Sequence, residues 1–297
     1  MKNSKRGIAL LVTLMFVIVI TVAIGFGLKQ VNSASSIVQK ENFMYQSSLI
    51  IEDVINILQT SQDVKKIATS DDLYLFLSQT SFIPFEISGM SIVLKISSAR
   101  GKFNPTNLRN DNNISNRMGE YLNSYGINPQ YLEILADNFG GIKEDNSYNS
   151  RIFDENPSLF RDYIASPAHL KIINDFYAKE FNDNSLSKID FNNLFYFGND
   201  SNVTIDVNYA TPEVWELMLG CSKERAETLS LGGGAYSNEA DLGLSDDEKL
   251  NFRLFKKDYF VPILLVKIEI TKGTSISKIS FEYNISTKKG SNFVYEI

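Results

Sequence analysis

The sequence holds one histidine and one cysteine, so any imidazole or thiol chemistry rests on single residues. His169 follows Pro167 at the start of a helical pattern, with no second histidine or nearby cysteine, so a zinc site has no ligand set and the imidazole reads as a capping or surface group. Cys221 stands alone, which excludes an intramolecular disulfide and reads as a half-buried thiol. Gly232-Gly233-Gly234 lacks the Lys-Ser/Thr that follows a phosphate loop, and no strand pattern precedes it. It reads as a flexible turn. Enzymatic chemistry is therefore not expected.

The elements that hold these residues explain more. From Ile8 to Leu28 no charged residue occurs, a run long enough to cross a bilayer core of about 30 Å as a helix. Lys2, Lys5 and Arg6 crowd its N-terminal flank, which places the N-terminus in the cytoplasm and everything after about Val31 outside. A secretory signal peptide is the rival, but its apolar stretch is normally about 7–15 residues. The net charge is −6; without the three leading cations, 26 basic residues face 35 acidic ones, which argues against a nucleic-acid partner. Apolar residues make up 43% of the chain, with 20 Phe and 14 Tyr, enough for a true core.

Beyond the apolar run, neither Gly nor Pro occurs between Lys29 and Ile83, and Val31, Val38, Leu49, Ile50, Val54, Ile57 and Leu58 recur at helical steps. One helix is expected to continue from the membrane into the exported part. Met90–Ser97 alternates as a strand, and comparable patterns return only near Val261, around Ile279–Ile285 and around Phe293–Ile297, with Gly-bearing connections. Between them, helical patterns cover Ile114–Tyr125, Pro129–Asn138, Pro167–Phe181, Pro212–Leu219 and Glu224–Leu231. Pro129, Pro167 and Pro212 stand where first turns start. The expected class is α+β: a long N-terminal transmembrane and amphipathic helix packed on a small antiparallel sheet, with a large, mostly α-helical insertion.

The order of basic leader, Gly7 and an apolar run beginning at Ile8 resembles the type IV prepilins. The resemblance implies that a prepilin peptidase cuts between Gly7 and Ile8 and that Ile8 becomes a methylated N-terminus. Most pilin-like proteins carry glutamate at the fifth mature position, where it pairs with the amine of the subunit above; here that position is Val12. A subunit with nothing above it has no amine to neutralise, and a buried carboxylate there would cost several kcal/mol. An apolar residue at this position is a feature of the K-type minor pseudopilins of type II secretion, placed at the filament tip.

GKFNPTNL (Gly101–Leu108) resembles the segment with which that family begins its α-domain, and VTIDVNYATPEVWELM (Val203–Met218) resembles one near its end, with Asp206 and Tyr209 departing from the pattern. The implied organisation is a leader (1–7), a transmembrane helix (8–28), helix continuation and first strand (29–100), an inserted α-helical domain (101–257) and closing strands (258–297). The resemblance also implies calcium in the α-domain. The matching stretch, Ala136–Ser150, offers Asp137, Glu144, Asp145 and Asn149 as hard oxygen ligands, without EF-hand spacing.

The implied location is the bacterial inner membrane with a periplasmic C-terminal domain. Other minor pseudopilins at the tip, the prepilin peptidase, and secreted cargo or the secretin are the implied partners. A minor pilin of a type IV pilus is the near alternative. A membrane-anchored DNA-uptake protein is the far one, because Asp206–Leu229 resembles a helix-hairpin-helix module in which Lys223 and Arg225 could touch phosphates. Ser222 stands at the second glycine of that hairpin and four glutamates surround the cations, so no nucleic acid is expected.

Overall fold

The computed structural model describes residue 41 and residues 43–296 apart from Ser88, Asn110, Asn199, Ser201 and Asn202. The proposed cleavage site at Gly7 and Ile8, Val12 and the apolar run 8–28 lie outside the described residues. Among the described residues no helix is long and apolar enough to cross a membrane. Leu58–Ile297 forms one compact unit, distinct from the chain before it.

Helix α1 covers 43–60 and does not continue into the next segment. Ser61 takes extended backbone angles and its hydroxyl accepts the Val64 amide, starting α2 (Gln62–Lys66). Thr69 then exchanges bonds with Asp72 in a capping box that starts α3 (Ser70–Thr80). The described part of the helix thus runs just past Leu58, the last of the periodic apolar residues, and the Gly- and Pro-free stretch beyond it is divided into two further helices. Lack of Gly and Pro does not keep a helix running where Ser and Thr side chains satisfy the first amides of a new one.

A five-stranded antiparallel sheet follows, in the order β1 (Phe82–Ile87), β2 (Met90–Ser98), β5 (Ile263–Lys272), β6 (Ser275–Asn284) and β7 (Lys289–Glu296). Its register aligns one apolar face: Ile92, Leu94 and Ile96 on β2, Leu264, Val266, Ile268 and Ile270 on β5, and Ile279, Phe281 and Tyr283 on β6. Each such burial contributes about 1.5–3 kcal/mol. Helix α3 packs on β2, with Leu73 and Leu77 buried. Gly273 at φ +59° makes the tight β5–β6 connection that a side chain would strain.

β1 is an edge strand. The Ile96 amide donates to the Ser81 carbonyl, so in the alternating ladder Ile83, Phe85 and Ile87 bond to β2, while Phe82, Pro84 and Glu86 point their backbone groups away. Pro84 therefore removes the middle donor of the open edge and blunts it against a further strand.

Residues 99–262 leave the sheet between β2 and β5 and form the helical insertion, which comprises α4 (Asn112–Ser124), α5 (Gln130–Asp137), α6 (Ile152–Glu155), α7 (Pro167–Phe181) and α8 (Phe191–Leu194). It goes on with β3 (Ile205–Asp206), α9 (Pro212–Leu219), α10 (Lys223–Leu231), α11 (Asp246–Phe252) and β4 (Lys257–Asp258), which pairs in parallel with β3. α7 and α9 occupy the spans read from the sequence, each with a Ser or Thr N-cap followed by Pro at the first helical position. The core centres on fully buried Trp215, stacked on Phe252 at 6.1 Å and edge-on to Tyr236 at 6.3 Å.

Candidate functional site

The insertion joins the sheet through a compact polar root built from both of its ends. Arg100, two residues past β2, reaches Glu282 on β6 with a bidentate pair of bonds, 2.7 Å each, and both side chains are only 6% exposed. The Arg100 guanidinium also lies 5.1 Å from the centre of the Tyr196 ring. The Tyr196 hydroxyl accepts a 3.0 Å bond from Asn292 on β7, and burial raises its pKa first, with Glu282 next. One guanidinium thus ties the start of the insertion to the sheet and to a second insertion segment.

Backbone closes the rest of the root. The Arg100 carbonyl accepts the Asp206 amide at 2.7 Å, and the Gly101 carbonyl accepts the Thr211 amide at 3.2 Å. A Cβ at Gly101 would lie 2.0 Å from the Tyr209 carbonyl oxygen, so only glycine lets these chains approach. The two segments singled out in the sequence, Gly101–Leu108 and Val203–Met218, therefore meet in space. A parallel bridge from Phe103 to Phe195 extends the junction.

Asp206 is completely buried. Its carboxylate accepts the Asn208 amide at 3.0 Å and the Val261 amide at 2.9 Å, joining the end of the insertion to the approach to β5. Burial pushes its pKa up to about 6, against the opposing pull of those two amides, with Asp258 adding to the rise. In the unfolded chain an ordinary aspartate titrates near about 3.9. The folded pKa is the higher one, so the native state binds the extra proton. Its relative stability should rise as pH falls from above 6 towards 4, by on the order of 2–3 kcal/mol, and be lost again as pH rises through 6. Thermal unfolding of wild type and Asp206→Asn across that range should show this slope as the difference between the two.

Asn208 completes the root. Its amide nitrogen donates to the Tyr236 and Tyr259 carbonyls at 2.8 and 2.7 Å, while its oxygen accepts the Gly234 and Tyr236 amides, both at 2.9 Å. The triglycine forms a turn, as the sequence suggested, but a tightly packed one rather than a flexible one. A Cβ at Gly233 would lie 2.3 Å from the Asn208 carbonyl oxygen, and one at Gly234, φ +93°, would strike the Tyr74 ring. The glycines are there for close packing.

His169 is buried; its Nδ1 accepts the Ala165 amide and its Nε2 faces the Asn138 side-chain oxygen at 3.3 Å, while burial lowers its pKa. It acts as a local cap. The Cys221 thiol is half-buried and burial pushes its pKa up to about 11, so it stays protonated. In the α9–α10 hairpin, Gly220 caps α9 in the left-handed conformation, and Ser222 caps α10. Arg225 donates to the Leu242 and Gly243 carbonyls and pairs with Glu248 at 3.5 Å, so it is committed inside the fold.

Of the four calcium candidates, the structure brings Asp137 and Asn149 together as hydrogen-bond partners and leaves Glu144 and Asp145 exposed. Among the described residues no three His, Cys, Asp or Glu side chains come together to hold a metal ion. Sequence reading missed Arg100, Glu282 and Asn208. Arg100 carried a signal, as a cation directly after a strand whose buried face excludes charge.

No family model and no curated protein matches this sequence. A solved structure does: a chain of the GspK-GspI-GspJ complex from the enterotoxigenic Escherichia coli type 2 secretion system superposes with a TM-score of 0.51. The match covers 87% of this chain and 99% of that one at 10% identity. The chain therefore has the fold of a GspK-type minor pseudopilin.

Proposed function

We propose that this chain is a minor pseudopilin of a type II protein secretion system, located at the tip of a periplasmic pseudopilus, where it starts or caps assembly. The observation that carries the reading is the mounting of a large helical insertion between β2 and β5 through a buried, bonded root. An appendage held in this way keeps a fixed direction relative to the sheet. It can obstruct a subunit arriving above and present a surface to cargo or channel. No catalysis is assigned; the role is mechanical.

The N-terminal sequence supports the same reading: Gly7 and Ile8 flank the leader cleavage, and the apolar run that follows anchors the chain in the inner membrane with the remainder outside. Val12 fits a subunit that has no neighbour above it. The solved complex with the similar fold holds three different Gsp chains, which supports other minor pseudopilins as partners.

Two measurements test this. Mass spectrometry of the membrane-extracted protein should find Ile8 at the N-terminus, carrying a methyl group; an intact Met1, or cleavage after Ala34, would overturn the prepilin reading. Quantitative labelling of sheared filaments should find the chain at their ends in far fewer copies than the major subunit. A distribution along the shaft would end the tip assignment.

A further inference from the structure

The loop after α5 is closed around a single carboxylate. Asp137 is fully buried, and each of its oxygens accepts two bonds: Oδ1 from the Asn149 amide at 3.0 Å and the Asn149 side chain at 3.1 Å, Oδ2 from the Ser150 amide and hydroxyl, both at 2.8 Å. Four donors use the acceptor capacity of an ionised carboxyl group in full. A metal ion at either oxygen would have to displace them.

Several of the other oxygens that a hard cation would recruit are engaged as well. The Ser147 carbonyl accepts from Lys143 Nζ at 2.7 Å, and the Phe139 carbonyl from Arg109 at 3.5 Å. Asp145 accepts the Ser147 amide at 3.1 Å, and Glu144 is exposed. Arg161 donates to the Tyr148 hydroxyl at 2.8 Å, and the guanidinium and Lys143 Nζ lie 5.1 and 5.3 Å from the centre of that ring. Calcium seeks six to eight oxygens and is repelled by positive charge. Three cationic side chains thread this loop.

We propose that Asp137 is a protein-internal loop lock, bonding Asn149 and Ser150 in the place where the sequence resemblance implies calcium, so that the insertion folds and holds this loop without a divalent cation. The lock does the topological work of a metal: it joins the end of α5 to a segment twelve and thirteen residues later. It fixes the loop that leads into α6. Charge-assisted bonds to a buried carboxylate are among the stronger protein hydrogen bonds, which suits them to this role. This inference stands apart from the pseudopilin reading and survives its failure.

The test uses the full-length, detergent-solubilised chain with calcium as the probe. Thermal unfolding in excess calcium and in chelator should give the same midpoint for the wild type, and calorimetric titration with calcium should show no saturable heat. Hydrogen exchange should find the Asn149 and Ser150 amides protected equally in both conditions. Asp137→Asn keeps the shape but removes charge and acceptors; it should lower the midpoint by about 5 °C and speed exchange in this loop, with or without calcium. If that variant gives no folded protein, Asn149→Ala, which removes one donor only, should show the same local exchange effect at smaller size. Saturable calcium binding that raises the wild-type midpoint would overturn the proposal, whether or not Asp137→Asn abolishes it. Unchanged exchange in both variants would overturn it too.

Discussion

Replacing Arg100 by alanine is expected to destabilise the chain by about 3–5 kcal/mol, because Glu282 would be left without its partner in a place that water scarcely reaches. Glu282→Ala should cost about as much by leaving the guanidinium stranded. The double change Arg100→Met with Glu282→Leu should recover most of the loss, since a well-packed apolar pair avoids the desolvation that the ion pair must offset. Arg100→Lys is not a conservative substitute. A single ammonium cannot reproduce two parallel bonds of 2.7 Å or lie flat against the Tyr196 ring. Unfolding free energies of the wild type, Arg100→Ala, Glu282→Ala and the double alanine variant form a cycle, and a coupling energy below about 1 kcal/mol would mean that the pair is ornamental to the fold. Pull-down of the proposed partner pseudopilins adds the functional arm. If the pair also sets the direction of the insertion, the Met/Leu variant should be stable yet capture partners less well, because packing without directional bonds fixes an angle less sharply.

Where local sequence decides the outcome, it was readable. α7 and α9 announce themselves by a capping hydroxyl, a proline and a periodic apolar face, and β2 by strict alternation over one buried side. α11 carries a signal of the same kind, Ser245 with Glu248 three residues on, which form a capping box. It went unread because its short apolar face is too sparse to show a period. β1 escaped for a different reason: as an edge strand it has no fully buried residue, so its side chains are under no pressure to alternate. The root was illegible because its meaning is non-local. Arg100 and Glu282 are far apart in the chain, and Asn208 acts on carbonyls and amides of residues 234, 236 and 259. The two motif segments marked that place by resemblance, while the physical reason for Gly101 appears only when Tyr209 is seen against it.

Asn208→Ala is expected to match the Arg100 effect, with a loss of about 3–5 kcal/mol and a midpoint lower by roughly 10 °C. The side chain is 4% exposed and all four of its hydrogen-bonding positions are used, two as donor and two as acceptor. Truncation orphans two carbonyls and two amides at once, in a place where a Cβ on Gly233 would already meet Asn208 at 2.3 Å. Asn208→Asp separates the two halves of the role. It keeps acceptors for Gly234 and Tyr236 but aims a carboxylate at the Tyr236 and Tyr259 carbonyls, so it should be at least as damaging as alanine and improve as pH is lowered. Gly233→Ala attacks the same junction through the Asn208 backbone carbonyl. Combined with Asn208→Ala it should cost less than the sum of the two, because both break one junction. Hydrogen exchange at the amides of Gly234 and Tyr236 supplies the local readout. A thermal loss without faster exchange there would place the damage elsewhere and remove Asn208 from the root. Faster exchange together with reduced partner capture, under conditions where the chain remains folded, would tie the rigidity of this junction to assembly.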